Sequence, residues 1–154
     1  MAKVHKKELI KQVVAGAREF TIGTVLFHHA VGEILGINVT DMECLALIIY
    51  RRLATPSELA RYTGLSSGAT TAMLDRLEGS RLIKRRSNPQ DRRGTLIILT
   101  KGAEQRLTAL FGSLRKAADR LTSRYSEKKL DLLSDFFQRI AIIWKEERDK
   151  LQQR

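Results

Sequence analysis

Between Leu82 and Thr100 the chain stops reading as helix. Leu82-Ile83-Lys84-Arg85-Arg86 and Thr95-Leu96-Ile97-Ile98-Leu99-Thr100 read as two strands, the second rich in β-branched residues. SNPQDRRG joins them, with Asn88 and Pro89 favouring a turn and Gly94 permitting an unusual backbone angle. On both sides of this stretch the apolar residues recur with helical spacing. One hairpin set among helices confines the chain to a mainly α class with a small β element. The tip is also unusual chemically. A solvated turn needs only a Gly and some polar atoms, whereas Asp91 beside Arg92 and Arg93 aims it at something negatively charged.

The helices follow from local signals. Residues 6–35 carry an apolar series of Leu9, Val13, Ala17, Ile22, Val25, Leu26, Ala30 and Leu35, with a break expected near Gly23 and a turn near Gly36. Thr40-Asp41-Met42-Glu43 has the form of a capping box and opens a helix with a broad apolar face of Leu45, Ala46, Ile48, Ile49 and Leu53. Thr55-Pro56-Ser57-Glu58 repeats that form, with Pro at the first helical position, where its missing N–H costs nothing. The short helix that follows meets Gly64, a suitable stop. Ser66 or Ser67 then caps a third helix whose inward residues are Thr70, Met73, Leu74 and Leu77. After Gly102 the helical period returns at Leu107, Leu110, Leu114, Ala118 and Leu121. Ser126 opens a last helix, from about 127 to 150 and about 36 Å long, striped by Leu130, Leu133, Phe137, Ile140 and Trp144.

Three parts result: a helical arm over 1–36, a compact centre over 37–101, and terminal helices over 102–154. The end segments carry more apolar stripe than so small a centre can cover. Either they pair with a second chain, most simply by two-fold symmetry, or they fold back on their own centre as a bundle.

The centre has helix-turn-helix grammar followed at once by a hairpin. The formal net charge is +11, which attracts polyanions of any kind, so its placement matters more than its sum. From Arg76 to Arg93 the basic residues Arg76, Arg81, Lys84, Arg85, Arg86, Arg92 and Arg93 face only Glu78 and Asp91. A basic hairpin beside a helix that fits the major groove is a winged helix in physical terms.

Other classes fit poorly. The apolar runs near LALIIY are far too short to cross a bilayer, and no signal-peptide pattern opens the chain. The lone Cys44 cannot form an internal bridge, no Cys/His spacing suggests zinc, and the reducing cytoplasm is the natural compartment. Adjacent histidines without a suitably spaced carboxylate do not define acid–base chemistry, and no phosphate-binding Gly loop appears. No enzyme, metal or cofactor is expected.

The stretch from PSELARYTGLSSGATTAMLDRLE through LIKRRSNPQDRRGTLIILTKGAE resembles the MarR family of bacterial winged helix-turn-helix regulators, and the resemblance extends over nearly the whole chain. The DRR tip followed by an alternating strand and LTKG carries most of its specificity. The resemblance implies a homodimer with interlocking N- and C-terminal helices. It also implies repression by binding pseudo-palindromic, double-stranded promoter DNA, with release on binding a small aromatic or anionic effector or on cysteine oxidation. A constitutive architectural DNA-binding protein without an effector is the alternative.

For DNA contact the expected residues are Ser66, Ser67, Thr71 and Arg76 on the third helix, Lys84, Arg85 and Arg86 on the first strand, and Arg92 and Arg93 at the tip. Guanidinium suits a narrow minor groove, and Asp91 orients an Arg there through a bidentate pair. Lys84, Arg85 and Arg86 alternate in direction, so only part of the trio faces one phosphate backbone. Thr71 suits a phosphate or a thymine methyl, and Arg76 either a phosphate or a partner within the protein. Gly68 and Ala72 offer no hydrogen-bonding head. Arg81 stands at the family's usual glycine position, so the turn there is expected to be accommodated in another way. Phe27, His28 and His29 are candidates for an effector pocket, against ordinary packing, pairing or solvation. Phe20 and Trp144 read as core of an arm or interchain contact, and Cys44 as a packed thiol or, less simply, a redox sensor.

Overall fold

The computed structural model describes residues 2–51, 55–89 and 94–152, with residues 2–4, 51 and 152 as backbone alone. They form six helices and one antiparallel strand pair, divided into two compact units, Met1–Ala103 and Glu104–Arg154.

The first unit begins with α1 (Ala2–Leu35), which is continuous, with no break at Gly23. A Cβ at Gly23 would meet nothing within 4 Å, so this glycine is tolerated as a solvated helical position, at about 1 kcal/mol relative to Ala. Gly36 ends the helix with φ of 71°, as its turn requires. α2 (Val39–Arg51) starts earlier than the expected box. Asn38 caps it, its Oδ1 accepting from the Asp41 N–H at 2.9 Å. Asp41 and Glu43 are thereby released for other partners, and Thr40 is an exposed residue of the first turn.

α3 (Pro56–Thr63) has the full box: Thr55 Oγ1 accepts from the Glu58 N–H, and Glu58 accepts from the Thr55 N–H at 3.0 Å. Gly64 closes it in the left-handed region. Ser66, not Ser67, caps α4 (Ser67–Gly79), accepting from the Ala69 N–H at 3.2 Å. β1 (Ile83–Ser87) and β2 (Thr95–Leu99) pair antiparallel, Ile83 opposite Leu99 and Ser87 opposite Thr95.

Alternation and helical spacing bring one core together: Met42, Leu45 and Ile48 of α2, Leu59 of α3, Met73, Leu74 and Leu77 of α4, and Leu82, Ile83 and Ile97 of the hairpin are fully buried. Each such side chain contributes about 1.5–3 kcal/mol of transfer free energy. Thr70 is buried with its hydroxyl donating to the Ser66 carbonyl. On α1, among the described residues, only the C-terminal end joins in. Val31 and Leu35 are buried, and a Cβ on Gly32 would come within 3.1 Å of the Ile37 carbonyl, so this glycine permits a close approach. Leu53 lies outside the described residues.

α5 (Lys101–Thr122) starts in the first unit, where Thr100 Oγ1 accepts from the Ala103 N–H at 3.1 Å, and runs into the second. There, turns through Ser123–Tyr125 lead to α6 (Glu127–Gln152). Its solvated side carries ion pairs such as Arg139–Asp135 and Lys150–Glu147, while Leu132, Leu133, Phe137 and Trp144 are exposed apolar side chains. Leu130 and Ile140 are half-buried.

Candidate nucleic-acid interface

α4 divides cleanly by helical period. Thr70, Met73, Leu74 and Leu77 face the core, which leaves Ser67, Gly68, Thr71, Ala72, Asp75 and Arg76 exposed. The N-terminus of the helix, with Ser66 and Ser67 at its mouth, directs backbone N–H groups outward and is chemically suited to a phosphate. Thr71 donates its hydroxyl to the Ser67 carbonyl at 3.0 Å, which ties down the Oγ1 proton. Gly68 and Ala72 leave this part of the exposed face without a hydrogen-bonding side chain, and a Cβ at Gly68 would meet nothing within 4 Å.

Both charged side chains on this side of α4 are engaged. Arg76 forks onto Asp41, which is buried on α2. That hydrogen bond holds the guanidinium above its ordinary pKa against some desolvation. Of its two sequence-level alternatives, Arg76 takes a partner within the protein while keeping half its side chain exposed. Asp75 accepts from Arg85 at 2.6 Å.

Lys84, Arg85 and Arg86 alternate on β1 as the strand period demands. Arg85 turns towards α4. Its backbone N–H donates to Glu78 Oε1 at 3.0 Å, its Nη1 donates to Glu78 Oε2, and its Nη2 donates to Asp75. Burial works against its charge, but Asp75 and Glu78 more than offset that and raise its pKa. Lys84 and Arg86 are exposed on the opposite face, in register with Ile98 and Leu96. The hairpin continues past Ser87–Thr95 through an Asn88 N–H to Gly94 carbonyl bond of 2.9 Å. Asp91, Arg92 and Arg93 lie outside the described residues.

Arg81 is the non-glycine residue with positive φ among the described residues, at 57°. Arg81 itself therefore adopts the left-handed turn between α4 and β1, and the expectation that this turn is accommodated in another way is not met. Surrounding bonds enforce the geometry: the Arg81 N–H donates to the Glu78 carbonyl, and Thr100 Oγ1 donates to the Arg81 carbonyl at 2.7 Å.

Phe27, His28 and His29 are consecutive on α1 and differ in burial. His28 is buried and meets Glu43 Oε1 through Nδ1 at 3.2 Å, linking α1 to α2. Phe27 is half-buried. His29 points elsewhere, as adjacent helical residues must, and lines a 260 Å³ cavity with Gly32, Glu33, Ile37, Asn38 and Val39. Cys44 is fully buried; desolvation, then the Asp41 and Glu43 carboxylates, push its thiol up to about 11, with Arg76 opposing. Among the described residues no group of three or more His, Cys, Asp or Glu could hold a metal ion, and no single helix is long and apolar enough to cross a membrane.

The sequence reading missed the Asp41–Arg76 fork and the Arg85 bridge. A spacing signal for the second existed: Asp75 and Glu78 are three apart on one helix, so they can share one cation.

Comparison with known proteins agrees with this geometry. Residues 37–95 match the MarR family. The uncharacterised HTH-type transcriptional regulator YcgE of Bacillus subtilis is 34% identical over 148 residues, covering 96% of each chain. The multiple antibiotic resistance protein MarR of Escherichia coli is 38% identical over 68 residues, 44% of this chain and 47% of that one. In fold, the chain is similar to the transcriptional regulator Tm0710 of Thermotoga maritima, with a TM-score of 0.61 at 19% identity over 89% of this chain and 96% of that one. It is also similar to wild-type MarR of Escherichia coli, with a TM-score of 0.54 at 23% identity over 80% and 93%.

Proposed function

The chain belongs to the MarR family of winged-helix transcriptional regulators, and from that premise we propose that it is a cytoplasmic, homodimeric repressor of specific promoters, responsive to a small ligand. The observation that carries the DNA-binding part is the joint exposure of the α4 face and of Lys84 and Arg86 on two elements that share one core. In the dimer, the two α4 helices enter successive major grooves about 34–36 Å apart, on a pseudo-palindromic site. Ser66, Ser67 and Thr71 meet the groove and its flanking phosphates. Lys84 and Arg86 contact backbone, and the Arg92–Arg93 tip reaches the minor groove with Asp91 orienting it.

The dimer is supported by the amount of apolar surface each unit leaves exposed. On α1 this includes Ile10, Val13, Ile22 and Leu26; on α6 it includes Leu132 and Trp144. Such a surface belongs in an interface rather than in water.

The effector part draws support from the family and from the cavity at His29. The engagement of His28 with Glu43 favours a second reading, a constitutive DNA-binding protein without ligand control. Selection of bound fragments from random duplexes tests the core proposal: an enriched two-fold site supports it, and an unenriched pool rejects it. Aromatic carboxylic acids, titrated into the resulting complex, then separate the two readings by whether they release the DNA.

A further inference from the structure

Two acidic residues sit where a DNA-binding surface should have none. Asp75 lies on the exposed face of α4, and Glu78 lies one turn further on, beside the root of the hairpin. Close to a phosphate backbone each carboxylate is repelled, so on charge alone both weaken binding. Their hydrogen bonds suggest what they supply in return. Arg85 uses its backbone N–H and Nη1 on the two oxygens of Glu78 and its Nη2 on Asp75, so three bonds join the recognition helix to the first wing strand. The same strand carries Lys84 and Arg86 on its other face.

The covalent link between these elements is short and strained. α4 ends at Gly79, β1 starts at Ile83, and Arg81 between them holds a φ of 57° that side chains other than glycine resist. A turn of this kind does not by itself fix the angle at which the hairpin leaves the helix. A planar guanidinium held by two carboxylates does, because both position and tilt are specified.

We infer that Asp75 and Glu78 are positioning residues for DNA recognition: through Arg85 they lock the wing at the angle where Lys84, Arg86 and α4 engage one duplex together. Arg85 is then part of the scaffold and not a phosphate contact. This rests on the proposed DNA-binding role and deepens it.

Glu78→Gln keeps the side-chain length and one acceptor oxygen while removing the charge. Asp75→Asn does the same at a position 61% exposed, where folding is at little risk. Affinity of the full chain is measured at fixed salt for the duplex enriched by selection and for a scrambled duplex. Simple electrostatics predicts that both variants bind both duplexes more tightly. The clamp predicts a split: scrambled DNA is bound equally well or more tightly, while the enriched site is bound about tenfold more weakly by Glu78→Gln, the equivalent of one charge-assisted hydrogen bond. Asp75→Asn should show the same split with a smaller factor. If either variant, folded by circular dichroism, binds the enriched site as tightly as the parent, the clamp is overturned and the regulator reading stands. If selection enriches no site, both fall together.

Discussion

Asp41 on α2 and Arg76 on α4 meet in a two-bond fork, Nε to Oδ2 at 2.9 Å and Nη2 to Oδ1 at 2.6 Å. The two ends are unequal, since the carboxylate is buried whereas half of the guanidinium side chain reaches water. Removing Arg76 strands a charge in the core, while neutralising Asp41 leaves a cation that water can solvate. Arg76→Ala should therefore lower the melting temperature clearly more than Asp41→Asn, which retains the shape and one acceptor. Thermal denaturation of the two variants checks this ordering. Equal losses would mean that the fork is held for its contribution to packing alone.

Arg81 carries left-handed backbone at φ of 57°. A non-glycine residue there costs about 1–2 kcal/mol, and glycine returns about half of that as extra freedom of the unfolded chain. Arg81→Gly should stabilise by about 0.5–1 kcal/mol, which is about 1–4 °C in melting temperature for a chain of this size. Arg81→Ala, still strained, should give no gain. Denaturant midpoints of the two variants measure the difference.

These two positions illustrate what the sequence could disclose. Signals within one turn were legible: Thr55 with Glu58, Gly64, the inward series Thr70, Met73, Leu74 and Leu77, and the paired strands all stand where spacing puts them. Choices settled by tertiary partners were not. Thr40-Asp41-Met42-Glu43 has the form of a capping box, yet Asn38 caps the helix, while Asp41 meets Arg76 and Glu43 meets His28. The partners of Arg85, Asp75 and Glu78, were likewise not legible from the strand alone. The continuity of α1 through Gly23 was illegible for a different reason, because a solvated glycine has only a weak local preference against helix.

Cys44 should behave as core. Its thiol, pushed up to about 11 by burial and then by the Asp41 and Glu43 carboxylates, is thiolate in only about one molecule in ten thousand at neutral pH. Disulfide reagents should label it at least about a hundredfold more slowly in the native protein than in denaturant, as followed by absorbance. A pH consequence accompanies this. The folded chain holds the thiol proton more tightly than the unfolded chain, whose value is near 9.0, so this stabilisation is complete below about pH 9 and is lost as pH rises towards about 11. Cys44→Ala should lose less stability than the parent across that window.

Lys84 and Arg86 share the outward face of β1, and Arg85 does not. Each residue that neutralises one phosphate steepens the salt dependence of DNA binding by about 0.9 in log–log slope, and a symmetric dimer doubles the effect. Lys84→Ala and Arg86→Ala should each flatten the slope by about 1.8. Arg93→Ala, in the sequence joining the two strands, should weaken binding to the selected site strongly while leaving the dimer intact. Titrations at several salt concentrations distinguish these residues, and an unchanged slope for both Lys84→Ala and Arg86→Ala would place the DNA on another face.

Trp144 offers the most direct test of assembly. Its side chain is 65% exposed on α6, and Leu26 on α1 is 64% exposed. In a monomer, a charged residue at either place touches little but water, and such surface substitutions change stability by no more than about 0.5 kcal/mol. In a dimer of ordinary interface size, about 1,200–2,000 Å², large side chains of this kind become buried, and a carboxylate in their place is desolvated without a partner. Leu26→Glu and Trp144→Glu should therefore leave helicity intact, shift the mass in light scattering from two chains towards one, and weaken DNA binding in parallel. The parent's melting temperature should also rise with protein concentration, because only the assembled form gains from the interface. A parent that scatters as one chain at tens of micromolar, with a concentration-independent melting temperature, would mean that these apolar faces serve something other than self-association.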